Sequence, residues 1–178
     1  MARTDLPVTV DFEGGYSTDP VMVGRNVRRL LELGAIGQNF EDQIVGGSGI
    51  YDIPDQAARL GAVREAADTL NIPAFINART DLFLKAAPEA HADLMDQAIA
   101  RSAAYAAAGA DGFFVPGLTD KTLINQICAA SALPVNTMTD GLTDCRDMAA
   151  LGVARISFGP APYLKLSDML EQNARIFF

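Results

Sequence analysis

The sequence predicts an α/β fold of the (β/α)8 barrel type, with about six βα units in a chain of 178 residues. Three observations carry this expectation. Strand-like and helix-like stretches alternate from one end to the other. Within the strands, polar residues keep to one face and gather toward the C-terminal end. The turns leading from helix into strand repeat a small-residue pattern, "LGAIG", "AGADG" and "LGVAR".

The first strand lies in "PVTVDF", and a helix follows over about Pro20 to Leu33, where Val23, Val27, Leu30 and Leu31 recur at helical spacing. "AIGQNFE" is the second strand and runs into the glycine-rich "DQIVGGSGIYDI". A second helix is expected over about Pro54 to Leu70, then the strand "PAFINAR" and a loop to about Pro88. The third helix, about Glu89 to Ala108, ends at Gly109, a residue type that commonly caps helices. "DGFFVPG" and "PVNTM" are strands, with a helix over about Asp120 to Ala130 between them. A helix over about Asp144 to Leu151, the strand "ARISFG" and a helix from about Pro162 complete the chain.

Six units leave two architectures, because a closed barrel has eight units and typically ~250 residues. One is an open, doubly wound sheet; the other is a barrel without two of its units. Side chains alternate along a strand, so Thr9, Asp11 and Glu13 share one face while Val8, Val10 and Phe12 share the other. Gly37, Asn39 and Glu41 likewise oppose Ile36 and Phe40, and Asn77 and Arg79 oppose Ile76 and Ala78. An open sheet covered on both sides is apolar on both faces, whereas a barrel interior opens onto polar groups at its C-terminal rim. Parity therefore favours the barrel, read as one domain over residues 1–178. The abrupt start on a strand favours, as an expectation, loss of the missing units on the N-terminal side.

Composition narrows the function. Apolar residues form 49% of the chain, enough for a sizeable core. A net charge of −8 argues against nucleic acid and against an anionic membrane surface. No apolar run reaches the ~18 residues of a membrane span. Cys128 and Cys145 show neither paired spacing nor a metal-type cluster, which suits a reduced, cytoplasmic protein.

Asp11, Glu13 and Glu41 end neighbouring strands ~5 Å apart, so their carboxylates are expected to converge. Three carboxylates without a thiolate or histidine make a hard oxygen site suited to Mg2+. The alternative for a single strand-end acid, Asp42 included, is a helix cap or a solvated loop residue. Arg79 ends the third strand at the same rim, and its planar fork suits a carboxylate. With Mg2+ it would clamp a dianionic oxo acid; an ion pair with Asp81 or Glu41 is the alternative. Asn39, Asn77 and Asn136 share the inward parity and are candidate donors to substrate oxygens, or else satisfied buried amides. Gly46 and Gly47 lie in a loop with enough glycine to move as a lid, or simply to turn at the surface. Ser157 reads as a structural hydroxyl, His91 as a surface residue, and the helix around "IARSAAYAAAGA" as ordinary packing.

On the motifs "VTVDFEGGY", "GQNFEDQIVGG", "FINARTD", "AGADGFFVPGL", "LPVN" and "GVARISFGP", the chain resembles the isocitrate lyase and phosphoenolpyruvate mutase superfamily. The resemblance implies a (β/α)8 barrel whose third strand corresponds to the first strand here. It assigns metal carboxylates to Asp11, Glu13 and Glu41, and the substrate-binding arginine to Arg79. It also implies Mg2+, a small 2-oxo or 2-hydroxy acid substrate, and a tetramer that exchanges C-terminal helices. The implied chemistry is C–C or P–C bond cleavage through an enolate of pyruvate. Two departures qualify it. "VGGSGIYDI" stands where isocitrate and methylisocitrate lyases carry a Lys-Lys/Arg-Cys-Gly-His loop, and it lacks the mutase-type lysine and asparagine too. Two βα units are also missing. The expectation is a Mg2+-dependent lyase or decarboxylase, with phosphonomutase-type chemistry or a non-catalytic barrel fragment as alternatives. A phosphate-binding isomerase barrel ranks last, since "SFGPAPY" is a poor phosphate cradle.

Overall fold

A computed structural model describes residues 4–139 and 145–177. Six strands alternate with six helices. The strands are β1 (Thr9–Asp11), β2 (Gly37–Glu41), β3 (Phe75–Arg79), β4 (Gly112–Phe114), β5 (Val135–Met138) and β6 (Arg155–Ser157). The helices are α1 (Pro20–Glu32), α2 (Ile53–Thr69), α3 (Met95–Ala107), α4 (Lys121–Ala130), α5 (Cys145–Ala150) and α6 (Ala161–Arg175). All neighbouring strands are parallel and the sheet order is β1-β2-β3-β4-β5-β6, the arrangement of a partial barrel. The expected fold class is met.

The core fills the space between the outer faces of the strands and the helices. Phe40, Ile76, Ala78, Phe113 and Val135 meet Val23, Val27 and Leu31 from α1 and Leu60, Val63 and Ala67 from α2. These helix residues recur every three or four positions, which turns one stripe inward. Aspartates start three of the helices: the side chains of Asp19, Asp52 and Asp120 accept N–H groups of their own first turns. The repeated "LGAIG", "AGADG" and "LGVAR" turns have one cause. Their glycines Gly34, Gly109 and Gly152 follow the ends of α1, α3 and α5 with φ of 95°, 96° and 93°, left-handed caps that spare an L side chain its steric cost.

Two expectations change. The helix expected over Glu89–Ala108 becomes two short 3-10 turns, Pro88–Ala90 and Ala92–Leu94, before α3 starts at Met95. His91, expected at the surface, is buried there: its Nε2 lies 3.0 Å from the Phe83 carbonyl and its ring packs edge-on against Phe83. Leu94, at φ −93° and ψ −5°, separates these turns from α3. Asp144, expected to start the fifth helix, falls outside the described residues. Helix α6 buries none of its side chains against this chain; Tyr163, Leu166 and Leu170 stand exposed along it.

Candidate active site

Strand register lines up the inward residues. Asp11, Asn39, Asn77 and Gly112 occupy successive paired positions across β1 to β4. Two residues further along, Glu41 pairs with Arg79, Arg79 with Phe114, and Phe114 with Asn136. The parity read from sequence therefore holds for Asp11, Asn39, Glu41, Asn77 and Arg79. The Asn77 Nδ2 donates to Asn39 Oδ1 at 2.8 Å. Gly112 leaves room for this pair, since a Cβ there would stand 2.8 Å from Asn77 Oδ1.

Arg79 is the centre of the rim. Its Nη1 lies 3.2 Å from Glu41 Oε2 and 3.9 Å from Asp11 Oδ2. Its Nε and Nη2 donate to the two oxygens of Asp81 at 2.6 and 3.2 Å, a two-point fork that fixes the guanidinium plane. The face of Phe114 lies 5.9 Å from the guanidinium carbon. Burial pulls the Arg79 pKa down, but hydrogen bonding to Asp81 and the charges of Asp81, Glu41 and Asp11 outweigh it, so the net shift is upward. Both ion pairs considered as alternatives for Arg79 are thus present. Asp81 lies two residues beyond Arg79, just past the end of β3, and the sequence marks it only as an ion-pair partner.

Glu41 is buried, and its carboxyl is pushed up to about 7. Burial is the main cause; Arg79 opposes it, while Asp81, Asp11 and Glu13 add to it. Glu13 sits in the turn after β1 with φ of 48°, and its carbonyl accepts the Glu41 N–H at 2.9 Å. A non-glycine residue held there carries backbone strain, as residues at functional sites often do.

The acids reach one rim, yet among the described residues no three His, Cys, Asp or Glu groups close around a single ion position. The cation between Asp11 and Glu41 is the Arg79 guanidinium. An all-oxygen donor set still suits Mg2+, which keeps several waters and needs only one or two carboxylates directly. The two acids that flank the guanidinium differ in access: the Asp11 side chain is 60% exposed and that of Glu41 is buried.

The remaining candidates separate. Asn136 faces inward and is buried, and its amide has no hydrogen-bond partner among the described residues. Ser157 Oγ accepts the Gly159 N–H at 3.3 Å, a local turn contact. Gly46 and Gly47 lie at the exposed tip of the loop between β2 and α2, pinned at its base by a Gln43–Ile50 bridge. A cavity of about 260 Å3 between this loop and the β1–α1 turn is lined by Glu13, Gly14, Tyr16, Gln43 and Tyr51. A larger cavity, about 570 Å3, lies instead between α1 and α2 and touches none of the rim acids.

Asp42 is neither a cap nor solvated. Fully buried, it accepts the Asp81 N–H at 2.8 Å on one oxygen, and Tyr105 OH at 2.8 Å and Arg101 Nη1 at 3.1 Å on the other. Burial pushes its carboxyl up against the pull of these donors. Arg101 also donates to the Tyr51 carbonyl at 2.9 Å. Helix α3 therefore carries more than ordinary packing. Arg101 and Tyr105, four residues apart, share one helix face, the sequence signal that points there.

The partial barrel, with acids and an arginine at the C-terminal strand ends, defines a member of the phosphoenolpyruvate mutase and isocitrate lyase superfamily. The chain belongs to the phosphoenolpyruvate phosphomutase family, whose model matches residues 1–178. A candidate phosphonomutase structure from Burkholderia cenocepacia J2315 is 47% identical, with a TM-score of 0.93 over 98% of this chain and 71% of that one. An oxaloacetate decarboxylase from Bradyrhizobium sp. (strain BTAi1) is 31% identical over 175 residues, 96% of this chain and 58% of its own. A phosphonopyruvate hydrolase solved with oxalate and Mg2+ shares the fold, with a TM-score of 0.77 at 22% identity, covering 98% of this chain and 62% of that one. The chain spans about 58% of the length of the first curated relatives it matches.

Proposed function

We propose that this chain carries the metal–arginine platform of a Mg2+-dependent lyase acting on a small 2-oxo or 2-hydroxy dicarboxylate, by decarboxylation or C–C cleavage through an enolpyruvate-like intermediate. The carrying observation is Arg79 held between Asp11 and Glu41 at the strand ends, with its plane fixed by Asp81. Asp11 and Glu41, with Glu13 beside them, would hold Mg2+. When bound, the ion supplies a Lewis acid that stabilises charge developing on substrate oxygen.

The residues of the chain do the rest. Arg79 keeps its fork to Asp81 on one edge, and its Nη1 is left to donate to a substrate carboxylate once Glu41 withdraws from it, so binding needs no new arginine rotamer. Asn39 and Asn77 present an amide pair next to that position, and Asn136 offers a buried amide with unused capacity. Glu41, its carboxyl pushed up to about 7 by burial, holds a proton near neutrality that metal binding would release. Gly46 and Gly47 would let the loop close over the rim and exclude water.

Phosphonomutase-type P–C chemistry is the second reading, favoured by the 47% identity to the Burkholderia structure. The exposed apolar side of α6 supports a homo-oligomer in which that helix packs on a neighbouring copy.

Calorimetric titration with oxalate, a planar mimic of enolpyruvate, tests the platform. Mg2+-dependent binding supports it, and pyruvate release from oxaloacetate or substituted malates then separates the lyase from the mutase reading. Absence of oxalate binding with and without Mg2+ would favour a non-catalytic barrel.

A further inference from the structure

Arg59 on α2 is 2% exposed, and among the described residues no carboxylate lies within ion-pair distance of it. A buried guanidinium without a counter-ion is costly to keep. Its hydrogen bonds show where it is spent. Nη2 donates to the carbonyls of Gly14 and of Ser17, the latter at 3.1 Å, in the turn that carries Glu13. Nη1 donates to Gln56 Oε1 at 2.6 Å. Gln56 Nε2 in turn donates to the Glu41 carbonyl at 3.2 Å. One unbroken path therefore runs from the backbone of Glu41 through Gln56 and Arg59 to Gly14, beside Glu13. Tyr51, where the glycine-rich loop enters α2, stacks on the same guanidinium at 4.0 Å.

The turn held this way needs holding. Glu13 and Tyr16 both adopt left-handed backbone, at φ of 48° and 59°, conformations that persist when the surroundings over-determine them. Arg59 grips the carbonyls between and just after them.

We propose that Arg59, with Gln56, is a positioning residue that holds the Glu13 turn against the end of β2, backing the direct bond from the Glu41 N–H to the Glu13 carbonyl, and so supports the metal platform, and that its stack on Tyr51 ties the glycine-rich loop to the same frame. The metal half of this proposal rests on the function proposed above; the backbone half does not.

The test uses the whole chain and two separate readouts. Arg59→Met removes the fork and keeps an apolar stem. In the metal-free variant, amide exchange at Gly14–Thr18 should accelerate about tenfold or more relative to the core strands. Mn2+, used as the probe, should bind roughly 10–100-fold more weakly, as when outer partners of metal ligands are removed, with an altered Mn2+ resonance spectrum. In Arg59→Ala, millimolar guanidinium should restore Mn2+ affinity, which a packing role alone would not produce.

A folded Arg59→Met chain with unchanged exchange and unchanged Mn2+ affinity overturns the proposal, and so does failure of guanidinium to restore binding. Should the unsubstituted chain bind no Mn2+, the metal reading of the site fails, and the exchange experiment alone decides the positioning role. Should Arg59→Met not fold, Gln56→Leu decides. It cuts the path in the middle and leaves the bonds of Arg59 to Gly14 and Ser17 in place. Faster exchange at Asp42–Ile44 supports the proposal, and exchange equal to that of the unsubstituted chain overturns it.

Discussion

Asp42→Asn probes the buried network beneath the rim. The carboxylate has no exposed surface and pairs with an Arg101 side chain that is 2% exposed. Asparagine keeps the shape and can still accept the Asp81 N–H, but it removes the charge that balances Arg101. Stranding one member of a buried ion pair typically costs about 3–5 kcal/mol. Because the amide keeps one of the three hydrogen bonds outright, the lower end, about 3 kcal/mol, is expected. For a chain of this size each kcal/mol lowers the melting temperature by about 2–4 °C. The variant should therefore melt roughly 6–12 °C below the unsubstituted chain in a calorimetric or circular-dichroism melt. Arg101→Met alone leaves Asp42 unpaired and should lose a similar amount. The double variant should lose clearly less than the sum, because the second change removes the stranded charge. An Asp42→Asn melt within about 2 °C of the unsubstituted chain, or strictly additive losses, would refute the pairing argument.

Three further outcomes follow from the same geometry. Arg79→Ala should weaken oxalate binding by about 10²–10⁴-fold, the loss of two charge-assisted hydrogen bonds at about 1.5–3 kcal/mol each; calorimetry showing unchanged affinity would remove Arg79 from the site. Glu41 binds its proton more tightly folded than unfolded, so without metal its contribution to stability is present below pH 4.5 and declines as pH rises toward about 7. Urea midpoints in a chelating buffer should show that decline relative to Glu41→Gln, and a Glu41 contribution that grows with pH would contradict it. Gly109→Ala places a Cβ on a residue at φ 96° and 2.9 Å from Arg64 Cγ, so it should destabilise by about 1–3 kcal/mol, read from the urea midpoint.

Much of this was legible in the sequence because strands have a strict two-residue period. Once Val10, Phe12, Phe40, Ile76 and Ala78 are assigned to the outer face, Asp11, Glu41 and Arg79 have only the inner face left, and parallel register brings Glu41 level with Arg79, two residues beyond the level of Asp11. What stayed hidden depends on contacts between residues far apart in the chain. Nothing local to Asp42 announces Arg101, 59 positions away, and nothing local to Arg59 announces the Gly14 carbonyl, 45 positions away. A helical arginine reads as a solvated charge by default. His91 was missed for the opposite reason: its inward turn depends on a Phe83 carbonyl in an irregular loop, where no period constrains which side chain faces the core.

The acids beside Arg79 bear on the order in which the site assembles. Asp11, Glu41 and Asp81 bring three carboxylates to one guanidinium, and repulsion from Asp81, Asp11 and Glu13 helps to push the Glu41 carboxyl up to about 7. The metal-free rim is therefore undercompensated, and it can relieve this by binding a proton or a cation. A proton on Glu41 and a divalent ion beside it are alternatives, so Mg2+ affinity should rise by up to about tenfold per pH unit below 7 and level off above it. The substrate carboxylate needs the Nη1 side of Arg79, which Glu41 occupies at 3.2 Å. Drawing Glu41 toward a cation frees that side, so metal and anion binding should cooperate. Oxalate should bind more tightly with Mg2+ than without it, and Mg2+ more tightly with oxalate, by the same factor. Equal oxalate affinities with and without the metal would mean that Arg79 and the acids act as separate sites.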